Sequence, residues 1–268
     1  MIGIGGLVGL VGGGGAYIRW SLRGDHGEYT APASQPVIST RGQLDESDPK
    51  FTVDGSWTFD DEEMLFVFVH GLNTDAEGAR DQAYTAELGG DRIRPASVIS
   101  YSWDSDTSWN TAKQNATANG ELLAAWLIEW AERDGRPLHL LGYSLGARVS
   151  CEALNILVSN GYTDIPASVS LLGGAIPDDS VTERGPYGDA IATTTGPVNN
   201  FHSRNDRVLG WVYRIGDRNR AVGYDGISDP NAAPTGYTDI DVTALVDDHY
   251  TYFHPEDGCL PRVVERLG

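Results

Sequence analysis

Cysteine is scarce in this sequence of 268 residues. The two cysteines, Cys151 and Cys259, are too few for a disulfide-built scaffold and lack the spacing to histidines that a metal site needs. Cys151 falls early in an apolar helical pattern, which predicts a buried free thiol. Because His-Glu-x-x-His and similar ligand spacings are also missing, the sequence predicts neither a metal ion nor an organic cofactor.

Lysine is equally scarce, since Lys50 and Lys113 are the only ones, and the formal net charge is −19. This composition resembles that of proteins from salt-loving archaea, in which dense carboxylates keep the surface hydrated while salt screens their repulsion. A negative field repels phosphate backbones, and no basic stripe interrupts it. We therefore expect no nucleic-acid partner.

An apolar run of nearly bilayer length occurs only at the start of the chain. Residues 1–18 are uncharged and rich in glycine, and Arg19 and Arg23 follow them. Arginines directly after such a run favour an orientation in which the rest of the chain lies on the cytoplasmic side of the membrane. We predict that residues 1–20 anchor the protein to a membrane, facing the cytoplasm. The alternatives are a flexible tail on a cytoplasmic protein and a cleaved export signal, which is disfavoured because no positive charge precedes the run.

The remaining chain divides into two parts. Residues 21–50 are polar and predict a lead-in to the ordered body. Residues 51–268 alternate apolar runs with helical patterns, which predicts parallel βαβ units and an α/β domain with its sheet between helix layers. The predicted buried strands are 64–71, 96–103, 137–144, 167–176 and, more weakly, 197–203.

Two helical patterns flank the third predicted strand. The first places apolar residues on one face at three- and four-residue spacing, and Trp126 and Trp130 on that face are expected to pack in the core. The second follows the strand. The apolar positions are Leu123, Trp126, Leu127 and Trp130 in the first pattern, and Val149, Ala153, Ile156 and Leu157 in the second.

The pattern Gly-Tyr-Ser-Leu-Gly at 142–146 lies between a predicted strand and a predicted helix. In a chain with 33 glycines the five letters alone carry little weight. The strand–turn–helix setting adds weight, because a sharp turn that crowds the helix start against the strand needs glycine on both sides of Ser144. Such a turn exposes the hydroxyl at the carboxyl edge of the sheet and directs the helix N-terminus toward it. We predict that Ser144 is a nucleophile.

These features resemble the α/β-hydrolase family, specifically its lipases and esterases. The similarity covers roughly residues 51–268 and rests on "GYSLGA" (142–147), "HGLN" (70–73) and "SYSWDS" (100–105) before a long helix. The resemblance implies an oxyanion hole formed by the backbone N–H groups of Leu72 and Leu145. His70 is then a turn and packing residue rather than the catalytic base.

A serine nucleophile also needs an imidazole and a carboxylate. The family order of serine, acid and histidine favours Asp206, just beyond the fifth predicted strand, and His249 in a late loop. His202 precedes this acid, so the order disfavours it as the base. The alternatives that stay open are His254 for the base and Asp178, Asp179, Asp225 and Asp247 for the acid.

The implied reaction is acyl transfer through an acyl-enzyme, so the sequence predicts a serine hydrolase acting on small acyl esters or lipids. A thioesterase, amidase or peptidase would use the same triad. The preference for an ester, a thioester or an amide is set by the surrounding loops rather than by the triad. The chain shows no insertion long enough for a lid, which favours an esterase over an interface-activated lipase. The alternative from another functional class is a non-catalytic, membrane-tethered binding protein. It is disfavoured because the sequence offers a candidate residue for each of the three triad roles.

Overall fold

The computed structural model describes residues 28–59, 62, 64–91 and 97–267. Residues 1–20, to which the anchor prediction refers, lie outside these ranges. The strands are β1 (Val37–Ser39), β2 (Thr52–Asp54), β3 (Leu65–Val69), β4 (Ser97–Ser102), β5 (Leu138–Tyr143), β6 (Ser168–Leu172), β7 (Val198–His202) and β8 (Tyr237–Asp241).

Helices connect most of the later strands. They are α1 (Ala76–Asp91), α2 (Trp109–Arg133), α3 (Gly146–Ser159), α4 (Gly188–Thr193), α5 (Arg214–Asp217), α6 (Val222–Asp225) and α7 (Leu260–Glu265), with a π-helix at Val208–Tyr213 and a 3₁₀ turn at Pro230–Ala232. α2 begins where the Ser108 side chain accepts a hydrogen bond from the Thr111 N–H group, which satisfies one of the free donors of the first turn.

The strands form an eight-stranded sheet in the order β2-β1-β4-β3-β5-β6-β7-β8. Each neighbouring pair is parallel except β1 with β2 at one edge. Every residue of β3, β5 and β6 is buried, as expected for parallel strands covered on both faces. The mostly parallel sheet between helices confirms the predicted α/β class, and each of the predicted strand segments contains an observed strand.

The sheet also extends beyond the predicted strands. β1 lies within the segment 21–50 and pairs in parallel with β4, so part of the predicted lead-in belongs to the sheet. β8 extends the opposite edge beside β7. β1 has only three residues and β8 is largely polar, so neither strand carries the continuous apolar run that marks the central strands.

The core occupies both faces of the sheet. One cluster packs α2 and α3 on one face and includes Trp126 and Trp130, whose rings stack with centroids 5.6 Å apart. This position confirms the predicted packing role of both tryptophans. A second cluster packs α1 and α7 on the other face and includes Cys259. Cys151 and Cys259 are buried free thiols, as predicted for Cys151, and burial raises the pKa of each to about 12.

The described residues contain neither a membrane-spanning helix nor a metal-binding cluster. In the part of the chain that the structure describes, none of the helices combines the length and the apolar character needed to cross a membrane. The same residues contain no grouping of three or more His, Cys, Asp or Glu side chains arranged to hold a metal ion.

His139 in β5 makes the stability of the fold pH-dependent. Its ring is buried against Ser168, with 2.8 Å between Nδ1 and Oγ, and burial lowers the pKa of His139 to about 4. A histidine in an unfolded chain has a pKa of about 6.5. Below that pH the unfolded chain therefore binds a proton that the buried ring of the folded chain does not bind. Stability is therefore expected to fall as the pH drops from about 6.5 toward 4.

The variant His139→Gln tests this dependence, because glutamine keeps a polar partner for Ser168 but does not titrate. The free energy of unfolding, measured by urea titration in molar KCl, should decline less between pH 7 and pH 4.5 in the variant than in the parent protein. Parallel declines in the two proteins would contradict a contribution from His139.

Candidate active site

Ser144 occupies a strained turn between β5 and α3. Its φ angle is +52°, a left-handed conformation that is uncommon for a residue with a side chain. The surrounding backbone holds this conformation in place. The Ser144 N–H group donates to the Leu172 carbonyl at 3.0 Å, and the Ser144 carbonyl accepts from the Ala175 N–H group at 2.9 Å.

The glycines around Ser144 are required by space. A Cβ atom on Gly146 would lie 2.0 Å from the Val69 carbonyl oxygen, and one on Gly142 would lie 2.7 Å from Ser150 Oγ. A Cβ atom on Gly71 would lie 2.8 Å from Ser144 Cβ. The start of α3 therefore packs directly on the ends of the central strands. Together with the parallel sheet, this strand–turn–helix confirms the predicted α/β-hydrolase fold.

The structure brings Ser144, Asp206 and His249 together. His249 Nδ1 lies 2.6 Å from Asp206 Oδ2, and His249 Nε2 lies 2.9 Å from Ser144 Oγ. A carboxylate only accepts hydrogen bonds, so Nδ1 carries the ring proton and donates to Asp206. Nε2 is then the acceptor, and the Ser144 hydroxyl donates to it. All three side chains are buried, and Asp206 has no exposed surface.

Neighbouring groups fix Asp206 and His249 in these positions. Asp206 Oδ1 accepts a hydrogen bond from the Leu209 N–H group at 2.9 Å, at the start of the π-helix. The Tyr143 hydroxyl donates to the His249 carbonyl at 2.9 Å, and the two rings lie 5.2 Å apart. Tyr143 thus links the segment that carries His249 to the strand that carries Ser144, a contact that sequence reasoning did not identify.

The predicted oxyanion donors lie beside Ser144. Leu145 follows it directly, and Leu72 follows Gly71, whose backbone approaches the Ser144 side chain closely. Within the described residues, the N–H groups of Leu72 and Leu145 donate to no other protein group. Neither donor is therefore occupied by another group of the described protein.

Residues 83–264 match the model of a family described as "Protein of unknown function (DUF726)". The chain belongs to the DUF726 family. Over 149 residues it is 34% identical to an "Uncharacterized membrane protein" of Schizosaccharomyces pombe, covering 55% of this chain and 18% of that one. Over 165 residues it is 27% identical to the "Probable lipase MIL1" of Saccharomyces cerevisiae, covering 61% of this chain and 14% of that one.

The DUF726 chain therefore spans under a fifth of the length of these two relatives. It is also similar to a solved structure, that of Bacillus licheniformis lipase BlEst2 in its mature form. The TM-score is 0.47 at 17% identity, and the match covers 78% of this chain and 93% of the lipase.

The alternative acids of the DUF726 chain have other partners. Asp178 lies 3.8 Å from Arg220, and burial raises the pKa of Asp178. Asp225 pairs with Arg204 and Arg220, Asp179 faces Asn219, and Asp247 is exposed. None of these carboxylates contacts the His249 ring among the described residues, whereas Asp206 does.

Neither His254 nor His70 forms a hydrogen bond with Ser144 among the described residues. His254 is buried, and its Nε2 atom has no hydrogen-bond partner among the described residues. His70 is a packing residue, as predicted. Its Nε2 atom accepts from the Trp103 N–H group at 3.1 Å, and its ring stacks on Trp103 with centroids 5.4 Å apart. Burial, with a smaller effect from Arg41, lowers the pKa of His70 to about 3, so the ring is neutral.

A helical segment, 208–217, packs near the DUF726 turn that carries Ser144. Inside it, Leu209 and Tyr213 pack with Ala175, whose N–H group binds the Ser144 carbonyl. On the outside, Trp211 is 72% exposed. The far end of the segment is fastened to α2, because Asp217 accepts a hydrogen bond from Trp109 Nε1 and pairs with Lys113. No sequence pattern predicted this packing.

Proposed function

We propose that this chain is a serine hydrolase that cleaves carboxylic esters. The observation that carries the proposal is the buried hydrogen-bonded series from Ser144 through His249 to Asp206, at the strained turn between β5 and α3. A histidine whose tautomer is fixed by a carboxylate, and whose free nitrogen faces a serine hydroxyl, is the arrangement that activates serine for attack.

In the first half-reaction, Ser144 Oγ attacks the ester carbonyl carbon while His249 Nε2 takes the hydroxyl proton. Asp206 stabilises the resulting imidazolium, and this interaction is strong because both groups are shielded from water. The carbonyl oxygen becomes an oxyanion, to which the N–H groups of Leu72 and Leu145 donate. The tetrahedral adduct then collapses, so that the bond between the carbonyl carbon and the alcohol oxygen breaks, His249 gives its proton to that oxygen, and Ser144 stays acylated.

The second half-reaction uses the same groups with water as the nucleophile. His249 Nε2 takes a proton from water, the hydroxide attacks the acyl carbonyl, and the Leu72 and Leu145 N–H groups again hold the oxyanion. Breaking the bond to Ser144 Oγ releases the carboxylic acid, and the proton on His249 returns to the serine. The proposed half-reactions thus use only the triad side chains and two backbone N–H groups.

The relatives support the substrate class and a membrane setting. The yeast relative is named as a probable lipase, which favours acyl esters over amides as substrates. The fission-yeast relative is named as a membrane protein, which supports the proposal that residues 1–20 associate with a membrane. Hydrolysis of p-nitrophenyl esters of increasing acyl length in molar KCl would define the chain-length preference.

Covalent labelling tests the nucleophile directly. A fluorophosphonate probe should label the folded parent protein, because it forms a stable phosphonyl ester only with an activated serine. Ser144→Ala should abolish labelling. Ser150→Ala removes another buried serine hydroxyl of the same region, which bonds the Gly146 carbonyl, and should still label. A folded parent protein that does not label would contradict the proposed function.

A further inference from the structure

The 70–74 loop, which follows β3, lies directly against the turn that carries Ser144. A Cβ atom on Gly71 would lie 2.8 Å from Ser144 Cβ and 3.2 Å from Ser144 Oγ. The next residue, Leu72, supplies one of the two N–H groups that the proposed function assigns to the oxyanion. The orientation of the peptide between Gly71 and Leu72 therefore decides whether that N–H group can face an oxygen atom bound at Ser144.

The ring of His70 fixes the orientation of this peptide. His70 Nε2 accepts a hydrogen bond from the Trp103 N–H group at 3.1 Å, so the single ring hydrogen of the neutral imidazole is on Nδ1. Nδ1 lies 2.9 Å from the Gly71 carbonyl oxygen, to which it donates. In a trans peptide the carbonyl and the following N–H group point in opposite directions. The bond that holds the Gly71 carbonyl toward the His70 ring therefore turns the Leu72 N–H group to the other side.

Arg41, two residues after the end of β1, contacts both ends of the same loop. Its Nη2 atom donates to the Thr74 carbonyl at 2.8 Å and lies 3.4 Å from His70 Nε2. Its Nε atom donates at 2.7 Å to the hydroxyl of Ser102, the last residue of β4. Because a guanidinium can only donate, its presence beside Nε2 keeps that atom in the acceptor role and the ring hydrogen on Nδ1. Arg41 is thus bonded to the last residue of the loop and constrains the tautomer of the first.

The loop needs such contacts because its backbone is strained. Asn73 has a φ angle of +59°, a left-handed conformation that persists in a residue with a side chain only where its surroundings hold it. The Asn73 N–H group donates to the Ser105 carbonyl at 3.0 Å, and Ser105 Oγ donates to the Thr74 carbonyl at 3.1 Å. The Thr74 carbonyl therefore accepts from both Ser105 and Arg41, so the strained residue lies between these bonds and those of His70.

Ion pairing does not account for the position of Arg41. Its side chain is only 19% exposed, and its ion pair with Asp104 is long, with 3.8 Å between Nη1 and Oδ1. A buried charge is unfavourable unless its hydrogen bonds are satisfied, and the shortest bonds of Arg41 go to the neutral oxygen atoms of Thr74 and Ser102. These bonds join the end of β1, the end of β4 and the 70–74 loop.

We propose that Arg41 is a positioning residue for the oxyanion hole, which it aligns through its bond to the Thr74 carbonyl and its contact with His70. This proposal rests on the proposed hydrolase function and deepens it, because it assigns the orientation of the Leu72 donor to a residue outside the triad. Among the described residues Arg41 has no hydrogen bond to Ser144. Its replacement should therefore weaken the binding of the developing oxyanion and leave the binding of the neutral ester nearly unchanged.

The test compares hydrolysis of p-nitrophenyl butyrate with inhibition by butyl trifluoromethyl ketone, which adds to an activated serine and forms an oxyanion at the same position. In molar KCl, Arg41→Gln should lower kcat by about 10- to 100-fold and change KM by less than about 3-fold. The inhibition constant of the ketone should rise by about the factor by which kcat falls. Arg41→Lys keeps a charged donor and should restore part of both losses.

The inhibition constant separates positioning from a merely structural role. A variant that is partly unfolded loses rate in proportion to the missing sites, but its remaining folded molecules bind the ketone as tightly as the parent does. Rates are therefore expressed per site labelled by the fluorophosphonate probe at the end point. Ser102→Ala removes the acceptor of Arg41 Nε alone and should cause a smaller change of the same kind in kcat and in the inhibition constant.

Arg80→Gln is the matched control. Arg80 is a similarly shielded arginine, with 26% of its side chain exposed, but it bonds Asp54 and the Gln35 carbonyl instead of the 70–74 loop. It should leave kcat, KM and the inhibition constant within about 3-fold of the parent values. An unchanged inhibition constant in Arg41→Gln, or an equal rise in Arg80→Gln, would overturn the positioning role. A folded parent protein that does not label would instead contradict the proposed hydrolase function itself.

Discussion

Replacing His249 with glutamine is expected to lower kcat/KM for ester hydrolysis by about 10⁵-fold, because the Ser144 hydroxyl then has no base within reach. Asp206→Asn should lower it by about 10⁴-fold. An amide in place of the carboxylate no longer favours the ring proton on Nδ1, so Nε2 no longer accepts from Ser144 at 2.9 Å. The measurement is the initial rate of p-nitrophenyl ester hydrolysis in molar KCl.

The three triad variants should behave as a unit. Once Ser144 is alanine, adding His249→Gln should change the residual rate very little, because the base has no hydroxyl left to activate. His254→Gln is the matched control, since it changes the alternative histidine, and it should retain activity within about 3-fold. If His254→Gln were inactive and His249→Gln active, the assignment of the base would be wrong.

Replacing Gly146 with alanine should cause the largest loss of stability of any single-methyl addition near the site. The new Cβ atom would lie 2.0 Å from the Val69 carbonyl oxygen, so α3 and β3 would have to separate. Overpacking against backbone typically costs about 1–3 kcal/mol and sometimes more, and we expect a loss of at least about 3 kcal/mol here. Urea unfolding followed by circular dichroism would measure it.

Gly90→Ala is the matched control for this prediction. Gly90 is a helical residue of α1, and a Cβ atom there would meet no atom within 4 Å. Alanine favours the helix, so the variant should be more stable than the parent by about 0.5–1 kcal/mol. A Gly146→Ala protein as stable as the parent would show that α3 does not pack on β3 as described.

The local pattern is sufficient to predict the sharp turn at Ser144, because the constraints on such a turn fall on adjacent residues. Space on either side of Ser144 allows only glycine at positions 142 and 146, so this requirement is visible within five consecutive residues. The central strands were predictable for a similar reason. Burial on both faces demands continuous apolar runs, and β3, β5 and β6 have them.

The partners of Ser144 had no comparable local signal. Asp206 and His249 are predicted only from the order of serine, acid and histidine in the family that the chain resembles. In the structure, His249 contacts Ser144 and Asp206 contacts His249, although the three residues lie far apart in the sequence. The Tyr143 hydroxyl acts on the site only through its three-dimensional contact with the His249 carbonyl, which no sequence spacing records. The edge strand β8 was not predicted for another reason: its largely polar sequence lacks the burial pattern of a central strand.

The exposed indole of Trp211 gives this site an intrinsic optical signal. The tryptophans of the core, Trp103, Trp126 and Trp130, are shielded from solvent, whereas Trp211 is 72% exposed and lies five residues after Asp206. Its fluorescence should be quenched by acrylamide far more readily than theirs. Binding events at the carboxyl edge can therefore be followed by quenching of the unlabelled protein, with Trp211→Phe as the reference in which only the other six tryptophans emit.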